Sequence, residues 1–404
     1  MRIAVIGDPH FAINANTSAK YSHNTLNTSG APDNDGPWHS LLTHVDKEKL
    51  RADYLICAGD LGTNADPITI KRGWEQLQEL GKRLSTPIVA CATGNHDILS
   101  RGNREKLAEN VIKELGVATG MVETLKMLDP VYPIAGAPTA AEGRKLKTQY
   151  FGDNIAVYTD SQIRIVVFNS CCEHNNDATQ YERGSAPESA LKALREAIDD
   201  GHNSTRVNLL VCHHPPMALG SSYEFIQGGA TLIEVLEESA QWLLVHGHIH
   251  RGRMRYGEGG SASTPILFSA ASLGAKTTSN IPGSRNQFYI LDVSASTGEL
   301  KGTVEAWDWR PADGWEPARR SFGGIHHRSG FGSRPVVEVL ADDITRTFQE
   351  YVTWDIVEQK YPQMKYFIPE TFNLLQKRLT ALGRFIDTDD DGNWIALAKL
   401  GPQS

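Results

Sequence analysis

Short apolar runs recur along the first 250 residues, at 2–6, 54–58, 87–92, 163–168, 207–212 and 242–245, each closed by glycine or polar turn residues. Runs of this length bounded by turns predict buried strands. Between them, 70–84 has helical spacing through Trp74, Leu77, Leu80 and Leu84, and 104–115, 187–198 and 230–239 read the same way. Strand, helix, strand at this spacing is a βαβ pattern, which predicts an α/β fold with ligands at the carboxyl ends of its strands. Further on, 265–270 and 287–293 are strand-like and 300–309 alternates. These predict antiparallel strands completing a second sheet.

The polar stretches set the boundaries. Residues 11–50 are rich in Asn, Ser, Thr and Gly and read as a long loop with a helix over 38–51; loops of this length in compact domains are often functional. His23, His39 and His44 lie there and read as solvated side chains. Residues 116–152 read as an insert near the site. Residues 311–335 break the pattern with Gly, Pro, Arg and two histidines. The expected division is a catalytic domain over 1–312, a linker over 313–335 and an accessory α+β segment over 336–404. The last segment reads as helices over 336–354 and 370–385, then a hairpin over 385–397. Arg319, Arg320, His326, His327 and Arg328 belong to the linker; a solvated linker is the default, and folding back over the site to hold a phosphate is the alternative.

Composition narrows the picture. At 404 residues, 40% hydrophobic and 22% charged, the chain can bury a sizeable core. A net charge of −8 gives no global attraction to nucleic acid or anionic membrane. The five cysteines, Cys57, Cys91, Cys171, Cys172 and Cys212, form no CxxC pair or disulfide framework. Together with an N-terminus that runs straight into a strand, this predicts a cytoplasmic, reducing location and no membrane partner. Residues 335–404 hold 7 Lys+Arg against 11 Asp+Glu, a balance of −4. Helices followed by a hairpin suit a winged helix, but this charge opposes docking on phosphates. A protein partner or self-association through 336–404 is the stronger expectation. The run 387–392 matches half of a calcium loop, but position twelve is Ala398 rather than glutamate, so a polar hairpin tip is the better reading.

The chemistry lies at the strand ends. Five of them carry Asp8 with His10, Asp60, Asn95 with His96 and Asp97, His213 with His214, and His248 with His250. Asp8 and His10 are two apart, which in strand geometry puts them on one side. Asparagine is a weak metal ligand, useful where a stronger cluster already holds the ion. A histidine beside it can work on a substrate, and a following carboxylate can orient it. Asp and His with one Asn and no thiolate suit Mn²⁺, Fe²⁺, Zn²⁺ or Ni²⁺. The donors are too many for one ion, and Asp60 is the candidate for a carboxylate shared between two.

The set Asp8-Pro9-His10, Gly59-Asp60, Gly94-Asn95-His96-Asp97, His213 and Gly247-His248-Ile249-His250 resembles, in order and type, the motifs of the calcineurin-like metallophosphoesterase superfamily. The resemblance covers roughly residues 1–309. It implies a four-layer α/β-sandwich, two mixed sheets flanked by helices, with a small, mainly helical C-terminal segment beyond it in this chain. It also implies a two-metal centre: Asp8, His10 and His250 on one ion, Asn95, His213 and His248 on the other, Asp60 bridging. His96 is then the residue that contacts the phosphoryl group or protonates the leaving oxygen, with Asp97 orienting it; His214 and His246 are left supporting or structural. The implied chemistry is in-line attack by a metal-bridging hydroxide. Leu61-Gly62-Thr63 after the second motif departs from purple acid phosphatases and from Ser/Thr protein phosphatases. His213-His214-Pro215-Pro216 looks like cyclic-nucleotide and glycerophosphodiester phosphodiesterases, while His248-Ile249-His250 also looks like DNA-repair nucleases. The leading expectation is a phosphodiesterase acting on a nucleotide or other small diester. A nuclease working with a partner comes second, then a phosphomonoesterase, and last a non-catalytic binding module, since all the motif residues are retained.

Overall fold

The computed structural model describes residues 1–14, 17–27, 33, 35–98, 123–174, 182–198, 205–218, 224–258, 263–276, 285–296 and 299–399. Two mixed sheets form the body. One is built outward from Arg2–Ile6, which pairs in parallel with Tyr54–Cys57, and that with Ile88–Cys91. The other has Ile163–Phe168, Val207–Val211, Trp242–His246 and Ile266–Ser269 in parallel, with Ile155–Thr159 and Arg253–Tyr256 antiparallel at its edges.

Side-chain alternation produces the layers. Ile163, Ile165 and Val167 join the core shared by the two sheets, while Val166 and Phe168 face the opposite way into a second core. The helices Glu188–Ile198 and Gly229–Glu237 close that second core with Leu191, Leu194, Leu232 and Leu236. Trp38, Leu41, Trp74, Leu77 and Leu80, from the helices Pro37–Lys47 and Pro67–Leu84, belong to the larger core on the first sheet. Helix, sheet, sheet, helix is the four-layer arrangement expected. The helix Pro67–Leu84 starts where the Asp66 carboxylate accepts from the backbone N–H of Ile68 (2.9 Å) and Thr69 (3.1 Å), with Pro67 in its first turn.

Several sequence expectations change. Gln287–Ser296 and Glu299–Arg310 join the first sheet: Ile3 stands opposite Leu291 and antiparallel to it. Alternation shows that a strand is half-buried, not which open edge it covers. The stretch 313–335 is structured. Gly314–Pro317 and Ser329–Phe331 both pair with Glu299–Arg310, so it extends the first sheet where a linker was expected. The long polar stretch after Phe11 contains two two-residue strands, a 3₁₀ turn at Thr17–Tyr21 and the helix Pro37–Lys47. The helix expected over 104–115 lies outside the described residues.

The C-terminal part has its own core. The helices Val337–Thr347, Trp354–Lys360 and Pro369–Ala381 pack with a three-stranded sheet of Val352–Thr353, Trp394–Lys399 and Arg384–Thr388. Helix, strand, two helices and a hairpin make a winged-helix order. The single helix expected over 336–354 is broken by Phe348, whose backbone is extended. The acidic run at 387–392 is the hairpin tip, where Asp389 accepts from the backbone N–H of Asp391 and Asn393. All five cysteines are free. Among the described residues no helix is long and apolar enough to cross a membrane.

Candidate metal centre

The five motif turns converge where the carboxyl ends of the two sheets meet. Asp8, Asp60 and Asn95 follow three parallel strands of the first sheet, and His213 and His248 follow two of the second. The sheets are tied at this end by Leu273 N–H donating to the Gly7 carbonyl (2.7 Å) and Gly274 N–H to the Asp8 carbonyl (3.2 Å).

Donor atoms crowd at two points. Around His10 Nε2 stand His250 Nε2 at 3.1 Å and Asp60 Oδ2 at 3.4 Å. Around His213 Nε2 stand Asn95 Oδ1 at 3.1 Å, His248 Nδ1 at 3.2 Å and the same Asp60 Oδ2 at 3.5 Å. A single carboxylate oxygen thus lies between two groups of ligand-type atoms. Asp8 joins the first group: ligand atoms of Asp8, His10, Asp60 and His250 all lie within 4.8 Å of one another. Asp8 Oδ1 accepts from the His248 N–H (3.1 Å), while its Oδ2 is buried without a hydrogen-bond partner. An unpaired buried carboxylate oxygen is costly, and a cation is the partner that would satisfy it. Burial, with Asp60 beside it, pushes the Asp8 carboxyl well above the usual range. The donor set, hard oxygens and imidazoles without thiolate, fits divalent ions.

Backbone strain marks the same residues. Among the described residues ten non-glycine positions have positive φ, and five of them are Asp8 (45°), His10 (48°), Asp60 (55°), His248 (69°) and His250 (54°). Asp8 and His10 therefore sit on a left-handed turn rather than on one face of an extended strand. Each such residue costs on the order of 1–3 kcal/mol and persists only where its surroundings hold it. Here the Asp8 carbonyl accepts from Ser272 Oγ (2.7 Å), that of Pro9 from Asn24 Nδ2 (2.7 Å) and that of His10 from Ser22 Oγ (2.6 Å). Two motif glycines are needed for space. A Cβ on Gly94 would collide with the Asp60 carboxylate, and one on Gly247 would lie 2.7 Å from Asp8 Oδ2.

His96 is half-buried, with its ring edge-on to His10 at 5.0 Å. Its backbone N–H donates to Asp60 Oδ1 (2.8 Å), so the turn positions the bridging carboxylate as well as the imidazole. Asp97 is buried behind the same turn. Its carboxylate accepts from the backbone N–H of Gly94 (2.9 Å) and Gly62 (3.2 Å), which locks the two turns together. Burial, then the neighbouring Asp60, pushes its carboxyl up to about 8.

Two supports were not legible in the sequence, Glu182 and the Ala58 carbonyl. Glu182 Oε2 accepts from Asn95 Nδ2 (3.2 Å), which fixes the amide with Oδ1 towards His213; Glu182 lies in a polar stretch without periodicity. The Ala58 carbonyl stands 2.8 Å from His213 Nδ1 and so holds that ring with Nε2 inward. His214 is paired through Nδ1 with Ser170 Oγ (2.9 Å) and packs on the His248 ring. Cys171 and His174 lie near His214, but the Cys171 thiol bonds the Thr93 carbonyl (3.2 Å) and burial pushes its pKa well up, so it stays a thiol. His246 is buried and held neutral, its pKa pushed down to about 3 by burial. His23 and His44 pack against Trp309 and Trp307, away from the cluster. A Glu182→Ala change is expected to weaken metal retention about 10–100-fold by freeing the Asn95 amide, read by metal titration of the purified protein; unchanged affinity would remove Glu182 from the centre.

Solved structures similar to this chain include a dimetal phosphatase from Danio rerio, at 10% identity and a TM-score of 0.45, covering 76% of this chain and 95% of that one. A purple acid phosphatase from yellow lupin, Lupinus luteus, matches at 13% identity and 0.47, covering 78% and 52%. A Vps29 single mutant from Entamoeba histolytica matches at 11% and 0.32, covering 78% and 94%. At TM-scores below 0.5 none of these likenesses bears on substrate. No curated protein matches the sequence. A family model named wHTH-Calcineurin_assc matches residues 329–381, which run from the short strand Ser329–Phe331 through the helix Pro369–Ala381 of the winged-helix part. A second model, described as calcineurin-like phosphoesterase, matches residues 1–252, and with more than half of its length matched the chain belongs to that family.

Proposed function

We propose that the protein is a dinuclear-metal phosphodiesterase acting on a nucleotide or other small phosphodiester. The observation that carries the reading is Asp60 Oδ2 standing 3.4 Å from His10 Nε2 and 3.5 Å from His213 Nε2, between two donor clusters. Asp8, His10 and His250 would hold one ion, Asn95, His213 and His248 the other, and Asp60 both. Manganese, iron, zinc and nickel divalent ions all suit these donors. When bound, such a pair polarises a phosphoryl group and makes a water nucleophilic near neutral pH. His96 supplies the proton for the departing oxygen. Its Nδ1 is buried while the ring is half-exposed, which leaves Nε2 as the nitrogen to meet substrate. Asp97 keeps the His96 turn against the Asp60 turn.

A substrate panel with purified protein and added Mn²⁺ tests the reading. Hydrolysis of a dinucleotide or cyclic nucleotide without cleavage of single-stranded DNA is the expected result. Cleavage of DNA alone would favour a nuclease, and hydrolysis of monoesters alone a phosphatase. The −8 net charge and the acidic hairpin tip both weigh against a nucleic-acid backbone as substrate.

The winged-helix part is proposed to set partner or oligomer choice. Seven of the eleven large exposed hydrophobics among the described residues, from Val336 to Ile395, lie there. A chain ending at Pro335 is expected to hydrolyse a small chromogenic diester within about twofold of the full chain, since all the motifs and both sheets remain. Its elution in size-exclusion chromatography should shift beyond the mass removed if the segment self-associates. Loss of metal binding in a soluble, folded truncation would place the segment inside the catalytic unit.

A further inference from the structure

Away from the metal centre, a cavity of about 410 Å³ lies between the edge of the first sheet and the winged-helix part. Cavities of this size hold small molecules rather than polymers. Its walls combine Arg320, His326 and Arg328 from the stretch after Pro317 with Lys365, Phe372 and Trp394 from the C-terminal unit. Among the described residues no carboxylate oxygen lies within 4.0 Å of the charged atoms of Arg320, Arg328 or Lys365. Of the two acids on the wall, Glu305 accepts from Arg2 (3.2 Å); Glu358 accepts from the Trp354 indole N–H (3.1 Å) and attracts Arg320 from beyond ion-pair distance, which leaves the three cations in excess. Three cations with no carboxylate in ion-pair contact, against two acids on the same wall, are a departure for a chain with net charge −8.

One of the cations, Arg320, is held in place. Arg320 lies over Phe372 at 4.2 Å and over Trp394 at 4.7 Å, and its Nε donates to His326 Nε2 (3.3 Å). His326 is 4% exposed, and its Nδ1 is buried without a hydrogen-bond partner. Trp394 stands edge-to-face with Trp354 at 4.6 Å and with Phe372 at 5.3 Å, making an apolar wall beside the charges. A preorganised guanidinium, an ammonium and a rigid aromatic surface are what a phosphate on a flat apolar body requires.

We propose that this cavity is a second ligand site, separate from the metal centre, which takes a phosphate monoester carried on a flat ring, of the nucleoside monophosphate class. A ligand there would contact both units at once. It would add to the junction already made by Ser321 N–H to the Asp391 carbonyl (2.9 Å), the Arg319–Asp391 ion pair (3.0 Å) and Gly330 N–H to the Phe367 carbonyl (3.1 Å). The site therefore serves to fix the winged-helix part on the catalytic unit in response to a nucleotide.

Calorimetric titration of the full-length protein with AMP, inorganic phosphate and adenosine tests this. AMP should bind, with affinity falling about tenfold or more in Arg320→Gln and in Lys365→Gln. The same AMP binding should persist in Asp60→Asn, which separates the cavity from the metal centre. Should Arg320→Gln fail to fold, Lys365→Gln at the exposed rim carries the test. No AMP binding up to about 5 mM, or binding that Lys365→Gln leaves unchanged, would overturn the site. Adenosine binding as tightly as AMP would overturn the anion, and phosphate binding as tightly as AMP would overturn the flat ring. Failure of the diesterase panel leaves these outcomes standing, because they read binding and not turnover.

Discussion

Asp60→Asn is expected to lower turnover at least about 100-fold and to weaken retention of both metal ions together. The cause is position: Asp60 Oδ2 stands 3.4 Å from His10 Nε2 and 3.5 Å from His213 Nε2, between the two donor groups. An amide keeps the shape but loses the charge that two cations share. Its other oxygen accepts from the His96 N–H, so the change also loosens the turn carrying the candidate acid. Metal content by mass spectrometry and turnover of a chromogenic diester, measured on the same preparation, decide the matter. A variant with two ions per chain and turnover near wild type would remove Asp60 from the bridge and the two-ion reading with it.

His96→Ala should separate binding from chemistry. The contact between this turn and Asp60 is made by the backbone N–H, which survives the substitution, so metal content is expected to stay close to wild type. Turnover should fall about 10²–10⁴-fold for a substrate with an alkoxide leaving group, where proton donation matters most. For p-nitrophenyl esters the loss should be much smaller, because that leaving group needs little protonation. Equal losses on both substrates would assign His96 a purely electrostatic part.

The centre was readable in the sequence because its information is local. Each motif is a short apolar run followed by a turn whose residue types are themselves metal donors, and five in a fixed order leave little room for another reading. The same locality predicted the helices near 70–84, 187–198 and 230–239 from their spacing, and the hairpin at the C-terminus. What needed the tertiary structure was whatever depends on a partner far along the chain. Gln287–Ser296 and Glu299–Arg310 were legible as strands, but Ile3 opposite Leu291 is a pairing across almost three hundred residues. Residues 314–317 and 329–331 looked like linker because short edge strands, stabilised by the strand they cover, carry little pattern of their own. Asp97 sits beside His96 in sequence, but its carboxylate is taken up by the N–H groups of Gly62 and Gly94. Glu182 reaches Asn95 from a stretch with no signal, and Arg320 meets Trp394 only because two separately cored units dock. Residue type and spacing determined which chemistry the chain carries; long-range packing decided which groups support it and where the remaining charges collect.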